Sequence, residues 1–186
     1  MSDERWFCRD DAEWAALVER LKLTACPHCR TVGTLIRHGV LTGFDDSSPR
    51  RTVRARRIFC SNRHRRRGCG RTVSVWYADK IRRLSLVGRT VWAFLKRAVA
   101  GTIDAAIRAT NSPRSNRTMR RIWPRFQRAQ SAIRTALLNR GPPPAFAAAS
   151  SRRPAEAYVL DHLQFTFPQA ACPVTAFQSA TRSFFI

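Results

Sequence analysis

Four cysteines between residues 26 and 69 constrain the fold of this chain more than any other feature of its sequence. Cys26 and Cys29 are separated by two residues, a spacing that lets two thiolates approach one metal ion from a single tight turn. Cys60 and Cys69 form a second pair, which Gly70 follows directly. Two such pairs match the closed tetrahedral site that structural Zn²⁺ prefers, with Zn–S distances of about 2.3 Å. The spacing therefore predicts a zinc ribbon in which these four cysteines bind the metal.

The second pair departs from the usual ribbon, because eight residues rather than two separate Cys60 from Cys69. We interpret this insert as a loop in the second knuckle, which closes at Gly70, a residue free to adopt positive φ. His64 offers an alternative, since a Cys60–His64 ligand pair would leave Cys69 outside the metal site. Four separate buried thiols that bind no metal are the other alternative.

The residues between the two pairs predict short strands. Residues 31–40 are predicted to form a strand pair that is broken at Gly33 and Gly39, and residues 45–49 to form a polar turn. Residues 54–59 then form a returning strand. This strand brings the second cysteine pair back toward the first.

A helix is predicted ahead of the ribbon, within residues 6–23, where Asp10 or Asp11 can cap its first turn. Its apolar residues follow helical spacing and are expected to pack on the ribbon: Trp14, Leu17, Val18 and Leu21. Cys8 has no partner at ligand spacing, so we expect it to act as a small apolar residue.

Beyond the ribbon the apolar spacing becomes helical. A first helix is predicted from Asp79 to Gly101, a second over residues 103–110, and a third after a turn at residues 111–114. The third helix would be capped by Ser115 or Asn116. The apolar residues assigned to the two longer helices are Ile81, Leu84, Val87, Val91, Leu95 and Ala98, then Met119, Ile122, Trp123, Phe126, Ala129, Ile133 and Leu137. We expect Trp92, Trp123 and Phe126 to lie in the core.

This order of helices is typical of a helix-turn-helix, whose last helix enters the major groove by its N-terminal residues. The candidate contact residues there are Arg114, Asn116, Arg117, Arg120 and Arg121. Pro124 is expected to kink or split this helix after Trp123, because proline removes a backbone donor. The alternative is a small helical bundle with a solvated arginine face.

The chain is thus predicted to be α+β, with a small β zinc ribbon followed by a mainly helical region. Its units are residues 1–77, with the N-terminal helix and ribbon, and residues 78–140, with the helix-turn-helix. A Pro/Ala/Ser linker follows at residues 141–153. Residues 154–186 hold a helix near residues 156–165 and an apolar end, which either docks on the protein's own core or meets a partner.

The charge predicts a polyanionic partner. The chain has 34 Lys and Arg residues against 12 Asp and Glu, a net charge of +22, and only three of the basic residues are lysines. Arginine is well shaped to fork onto phosphates and guanine edges. No acidic residue lies between Asp46 and Asp79, nor between Asp104 and Glu156. Such uncompensated charge favours nucleic acid over a membrane surface as the partner.

Sequence features also predict the compartment. No stretch of about 18 apolar residues indicates a membrane span, and the acidic N-terminus lacks the apolar run of a secretory signal. Cysteines paired for metal rather than for disulfides are typical of a reducing environment. We therefore expect a cytoplasmic, nucleoid-associated protein.

Several of these motifs resemble the zinc ribbon and helix-turn-helix of bacterial insertion-sequence transposases. The similar segments are Cys26-Pro27-His28-Cys29, Arg37-His38-Gly39, Cys69-Gly70-Arg71-Thr72-Val73-Ser74 and Ser115-Asn116-Arg117-Thr118. The resemblance covers about residues 23–140. It implies binding to the terminal repeats of a mobile element, with strand transfer performed by a separate carboxylate triad that holds magnesium.

That triad is missing from this sequence, because only Glu156 and Asp161 are acidic after Asp104, and metal-assisted phosphoryl chemistry needs more carboxylates. We therefore expect a protein that is not an enzyme by itself and that works with a catalytic transposase partner. The leading hypothesis is zinc-dependent binding of double-stranded DNA. Alternatives are an RNA-binding ribbon protein and a zinc-stapled scaffold that recruits a catalytic partner through residues 154–186.

Within the leading hypothesis, two groups of arginines contact the DNA. Those expected to bind backbone phosphates are Arg63, Arg65, Arg66, Arg67 and Arg71. Arg117, with Arg120 or Arg121, is expected to read bases. Phosphate contacts would supply most of the affinity and make it steeply dependent on salt.

Overall fold

The fold is α+β, as the sequence predicts. The computed structural model describes residues 6–63, 65, 67–144 and 154–186. The strands are β1 (Trp6–Cys8), β2 (Leu35–Asp45), β3 (Ser48–Cys60) and β4 (Thr72–Tyr77). The helices are α1 (Asp11–Arg20), α2 (Gly88–Ala100), α3 (Ile103–Thr110), α4 (Asn116–Arg120), α5 (Ile122–Leu138), α6 (Ala155–Thr166) and α7 (Pro173–Thr181). His64, Arg66 and most of the predicted linker lie outside the described residues.

The strands form one mixed sheet in the order β1-β4-β3-β2. β2 and β3 are a long antiparallel hairpin, β3 pairs antiparallel with β4, and β1 lies parallel to β4. The predicted strand pair within residues 31–40 is wrong. A single strand, β2, runs through Gly39, whose φ is +130°. The register with β3 shifts between Arg37 and Gly39, so the strand accommodates the glycine as a bulge and the chain does not turn there.

Helix α1 packs on this sheet. Asp10 caps it by accepting a hydrogen bond from the backbone N–H of Glu13 at 2.8 Å, which confirms the predicted cap. Asp11 accepts hydrogen bonds from the guanidinium of Arg56, at 2.7 Å, and from the hydroxyl of Tyr77, so the helix is also bound to β3 and β4 by polar contacts. We call β1–β4 with α1, residues 6–77, the sheet region.

The sheet region has its own small core. Its buried members are Cys8, Trp14, Leu21, Cys26, Leu35, Ile58, Cys60, Val75 and Tyr77. Cys8 is buried among them, as expected of a small apolar side chain. Two further members, Cys26 and Cys60, belong to the predicted ligand set.

A second, larger core lies in what we call the helical region, residues 78–144 and 154–186. Its largest fully buried side chains are Phe94, Phe126, Phe177 and Phe185. Trp92 and Trp123 pack against it while half-buried, which confirms that they belong to the core. Helices α6 and α7 contribute Leu160, Leu163 and Val174 to the same cluster as α2–α5.

The predicted helix from Asp79 is wrong in its first half, because α2 begins only at Gly88. Residues 79–87 form an irregular segment whose ends meet in a bridge between Lys80 and Val87. Ile81, Leu84 and Leu86 are buried, so apolar spacing alone could not distinguish this segment from a helix. The predicted end at Gly101 is confirmed.

The third helix is split, but the predicted position of the split, after Trp123, is wrong. Ser115 caps α4 by accepting from the N–H of Thr118 at 3.3 Å. The chain then breaks at Arg121, and α5 begins at Ile122. Pro124 therefore lies in the first turn of α5, where helices tolerate a missing N–H.

The apolar C-terminal end docks on the protein itself. Phe185 is fully buried, and its ring lies 5.9 Å from that of Phe126. Phe184 packs edge-on against Phe7 and Trp76 of the sheet, with ring centroids 5.1 and 5.4 Å apart. Helix α7, which we had not predicted, positions both rings.

Buried polar side chains join the two regions. Arg54 of β3 donates to the carbonyls of Ile81 and Leu84 at 2.5 and 2.7 Å. The buried ammonium of Lys80 lies 3.0 Å from carboxylate oxygens of both Asp45 and Asp79. These contacts hold residues 79–87 against the hairpin. Among the described residues, no helix is long and apolar enough to cross a bilayer.

Candidate metal centre and nucleic-acid interface

The structure brings the four predicted cysteines together. The sulfur atoms of Cys26, Cys29, Cys60 and Cys69 all lie within 4.8 Å of one another. Sγ of Cys26 is 3.8 Å from that of Cys69, and Sγ of Cys29 is 3.6 Å from that of Cys60. A tetrahedral Zn²⁺ about 2.3 Å from each sulfur requires sulfurs about 3.8 Å apart. The cluster is therefore compatible with a metal ion bound by four thiolates.

The first pair is held by a tight turn. The backbone N–H of Arg30 donates to the carbonyl of Cys26 at 2.8 Å, and the N–H of Cys26 donates to the carbonyl of Thr31 at 3.0 Å. The N–H of His28 lies 3.4 Å from the Cys26 sulfur. Arg30 adopts a φ of 61°, so the residue after this pair takes the left-handed conformation.

The second pair repeats this arrangement despite its longer insert. The N–H of Cys69 lies 3.3 Å from the Cys60 sulfur, and the N–H of Gly70 donates to the Cys60 carbonyl at 2.9 Å. Gly70 has a φ of +72°, as predicted. A Cβ on Gly68 would lie 2.2 Å from the Ser61 carbonyl oxygen, so only glycine fits where the insert returns to the cluster. The insert leaves the ligand geometry of a short knuckle intact.

These distances place Cys69 within the sulfur cluster. His64, the alternative ligand, lies outside the described residues. Thr34 is a contact that we had not predicted: its hydroxyl lies 3.1 Å from the Cys60 sulfur, at a buried position. Thr34 can orient and polarise this sulfur from outside the ligand set. Its position directly before β2 is a weak sequence signal, since hydroxyl residues are common in turns.

The thiols of Cys26, Cys29 and Cys69 differ in their pKa. Hydrogen bonds from the side chain and backbone of Thr31 lower the pKa of Cys29 to about 6. Burial raises the pKa of Cys26 to about 12, and burial also raises the pKa of Cys69. A bound cation deprotonates thiols outright, so metal binding at this cluster releases protons. Affinity for the metal is therefore expected to fall as pH is lowered.

The second knuckle presents a basic surface beside the cluster. Arg63, Arg65, Arg67 and Arg71 are exposed, whereas Arg66 lies outside the described residues. The guanidinium of Arg63 lies 5.7 Å from the centre of the Phe59 ring, which it partly covers. The described arginines of this group are thus accessible to a polyanion.

The predicted recognition residues fall into different environments. Asn116, Arg117, Arg120 and Arg121 are exposed on or beside α4, and Arg120 forms an exposed ion pair with Asp104 at 2.9 Å. Arg114 is half-buried, and its guanidinium donates to the carbonyl of Asp45.

Some of the positive charge has a structural role that composition could not reveal. Arg54 is buried, with a pKa lowered by burial and partly restored by Asp45 and Asp79. Burial raises the pKa of Asp45, but hydrogen bonds from Ser47 and Thr52 and its contact with Lys80 outweigh this effect, so the pKa lies below its ordinary value. These side chains join the two regions.

Comparison of the chain with protein-family models, with curated proteins and with solved structures found no match. The case for its function therefore depends on its own sequence and geometry.

Proposed function

We propose that this chain is a zinc-ribbon protein of transposase type that binds duplex DNA at the ends of a mobile element and has no catalytic centre of its own. The observation that carries the proposal is the four-sulfur cluster with exposed, uncompensated arginines on its second knuckle. A metal-binding ribbon alone does not indicate a function, because such ribbons occur in many kinds of protein. A basic ribbon is suited to a phosphate backbone.

Zinc is the metal that we propose for the cluster. Four thiolates in tetrahedral spacing suit Zn²⁺, which, when bound in a closed site of this kind, supplies folding energy. Cys26 and Cys29 from one turn and Cys60 and Cys69 from the other would hold it. Their fixed positions join the two knuckles, and through them the start of β2 and the end of β3.

The arginines are assigned two roles. Arg63, Arg65, Arg66, Arg67 and Arg71 contact phosphates, because they lie within nine residues of the sequence and need no fixed orientation to do so. Arg117 and Arg121 read bases, supported by their exposure beside the short α4 and by the order of α3, turn and α4, which resembles a helix-turn-helix. A catalytic transposase subunit is the partner that strand transfer would require.

The docked C-terminal end argues against the scaffold alternative. That hypothesis needs residues 154–186 to offer an apolar surface to a partner. Phe185 is instead fully buried in the helical core.

The test is a binding selection by the zinc-loaded full chain from a mixed pool of random duplex DNA and structured RNA at near-physiological salt. Moderate salt suppresses contacts that are only electrostatic. We expect recovery of a duplex consensus. Recovery of structured RNA would replace the proposal by the RNA-binding alternative, and recovery of every sequence equally would reject base readout.

Two variants then separate the roles. Arg121→Ala should relax preference for the consensus, with a loss of about 1–3 kcal/mol on the preferred site. Arg67→Ala should weaken all duplexes about equally and reduce the salt slope by about 1. If both variants lower affinity without changing preference, the assignment of base readout to α4 is wrong.

A further inference from the structure

Four arginines outside the predicted contact residues line one cleft of about 450 Å³. Arg82 and Arg83 lie in the irregular segment before α2, and Arg125 and Arg128 lie on α5. Phe184 closes the cleft from the C-terminal end. Two segments that are distant in sequence, residues 82–83 and 125–128, therefore direct their positive charge toward a single opening.

Two of the guanidinium groups are held in place before any ligand binds. The guanidinium of Arg82 lies 5.1 Å from the centre of the Phe184 ring, and that ring is itself fixed against Phe7 and Trp76. Arg125 donates a hydrogen bond to the Arg82 carbonyl at 3.3 Å. Preorganised groups lose less conformational entropy when a ligand binds.

None of the residues that line this cleft is an Asp or a Glu. Within the described parts of the chain, none of the four arginines forms an ion pair with a carboxylate. Burial lowers the pKa of Arg125, and the neighbouring charges of Arg121, Arg128 and Arg83 lower it further. Like charges gathered in this way destabilise the fold unless an anion neutralises them.

We propose that this arginine cleft is a binding site for consecutive phosphate groups. Guanidinium groups fork onto phosphate oxygens, and four positive charges around one opening match a ligand with several negative charges at short spacing. Such phosphates come either from a nucleic-acid strand or from a free polyphosphate. The strand form deepens the proposed function and rests on it, because it adds a second contact surface beside Arg121.

The test compares two double variants of the zinc-loaded full chain. Arg83→Gln/Arg128→Gln removes two exposed cleft arginines, and Arg97→Gln/Arg108→Gln removes two exposed arginines of α2 and α3 as a control for net charge. The probes are inorganic tripolyphosphate and a 20-base-pair duplex, each titrated over a series of salt concentrations. Zinc content and circular dichroism verify that each variant is folded.

We expect the cleft variant to lose roughly tenfold or more in affinity for at least one probe, and the control to lose clearly less. If the duplex is the affected probe, its salt slope should fall by about 2, since each phosphate contact contributes about 0.9. Loss for the duplex alone identifies strand phosphates as the ligand. Loss for tripolyphosphate alone identifies a free polyphosphate.

The inference is overturned if the cleft variant and the control bind both probes equally well. Failure of the proposed function has a different signature: the wild-type chain would not bind the duplex, yet would bind tripolyphosphate through the cleft. A wild-type chain that binds neither probe rejects both ideas.

Discussion

The sheet region and the helical region of this protein are stabilised by different means. Three of the nine buried core residues of the sheet region are cysteines, and two of these, Cys26 and Cys60, belong to the sulfur cluster. The helical region instead buries a broad apolar cluster with four fully buried phenylalanines. Small cores that bury little apolar surface usually need a metal or disulfides. With a metal at the proposed centre, the comparison predicts that the sheet region depends on the bound ion and the helical region does not.

Polar contacts couple these two regions. Within the helical region, the side chain of Gln178 on α7 holds the segment that meets the hairpin: it donates to the carbonyls of Ala78 and Lys80 at 2.7 and 3.2 Å and accepts from the N–H of Phe185 at 3.0 Å. Lys80 in turn binds Asp45 of β2. Arg54 makes a similar set of contacts from β3. Arg54 and its partners lie in different regions, so this coupling forms only when both regions are folded.

Metal removal should have the largest effect and should separate the regions. Structural zinc contributes an apparent binding free energy of about 10–16 kcal/mol in zinc-finger peptides, more than most domains have as net stability. We expect chelation to remove hydrogen-exchange protection from β2–β4 while α2, α5 and α6 remain protected. Hydrogen exchange followed by mass spectrometry, with and without EDTA, measures this difference.

Two cysteine variants control the chelation experiment. Cys60→Ser removes a proposed ligand and should abolish bound zinc. Cys172→Ser changes a thiol that packs against the helical core, so zinc content should stay at the wild-type value. Equal loss of protection in strands and helices after chelation would show a single cooperative unit and contradict the comparison.

The second prediction concerns a variant that destabilises the helical region instead. Phe126 is fully buried, and Phe126→Ala should cost about 3–5 kcal/mol of unfolding free energy through lost burial and a cavity. Denaturant unfolding followed by circular dichroism measures the loss, and zinc content should not change. The matched control is Phe165→Ala, since Phe165 is 58% exposed and its loss should cost about 0.5 kcal/mol or less. Loss of zinc from the Phe126 variant would show that the cluster depends on the helical core.

The third prediction weakens the anchoring of residues 78–80, through which Lys80 of the helical region binds Asp45 of the hairpin. Gln178→Ala leaves two buried carbonyls without a side-chain donor and should cost about 1–3 kcal/mol. It should also move the unfolding transitions of the two regions apart, as seen by hydrogen exchange at increasing denaturant. Gln127→Ala is the control, because Gln127 is exposed and bonds only to Glu156 at 3.2 Å. Transitions that stay together in the Gln178 variant would assign the coupling to other contacts.

The smallest effect is expected at the knuckles, where Arg30 and Gly70 occupy equivalent positions with φ of 61° and +72°. Arg30→Gly should raise the free energy of unfolding of the zinc-loaded protein by less than about 1 kcal/mol, because glycine adopts positive φ without strain, and so raise its thermal midpoint slightly. Gly70→Ala should lower the midpoint, since its Cβ would lie 3.0 Å from Asn62. A lowered midpoint in both variants would mean that Arg30 stabilises the turn through its side chain.

Local sequence signals predicted the elements that depend on short-range contacts. The caps at Asp10 and Ser115, the helix at residues 103–110 and the cysteine pairing each depend on residues a few positions apart, or on a spacing that metal chemistry restricts. The split of the third helix was predicted after Trp123, at Pro124, whereas the chain breaks at Arg121. For the caps, the short helix and the cysteine pairs, a single local requirement leaves the segment few alternative structures.

The segment at residues 79–87 shows where this reasoning failed. Its buried apolar residues have near-helical spacing, but Arg54 and Asp46 bind its backbone groups from the hairpin, and Val87 donates to Asp46 at 2.7 Å. A backbone whose groups are satisfied by a distant strand has no need to form a helix. No window of local sequence contains those partners.

The sequence by itself determined the α+β class, the four candidate ligands and the excess of positive charge. Only the tertiary structure decided which arginines are structural, as Arg54 is, and which remain exposed or gather in the cleft formed by Arg82, Arg83, Arg125 and Arg128. It also decided that the apolar C-terminal end docks internally. The physical reason is the same throughout: burial and charge compensation depend on neighbours that only the folded chain brings together.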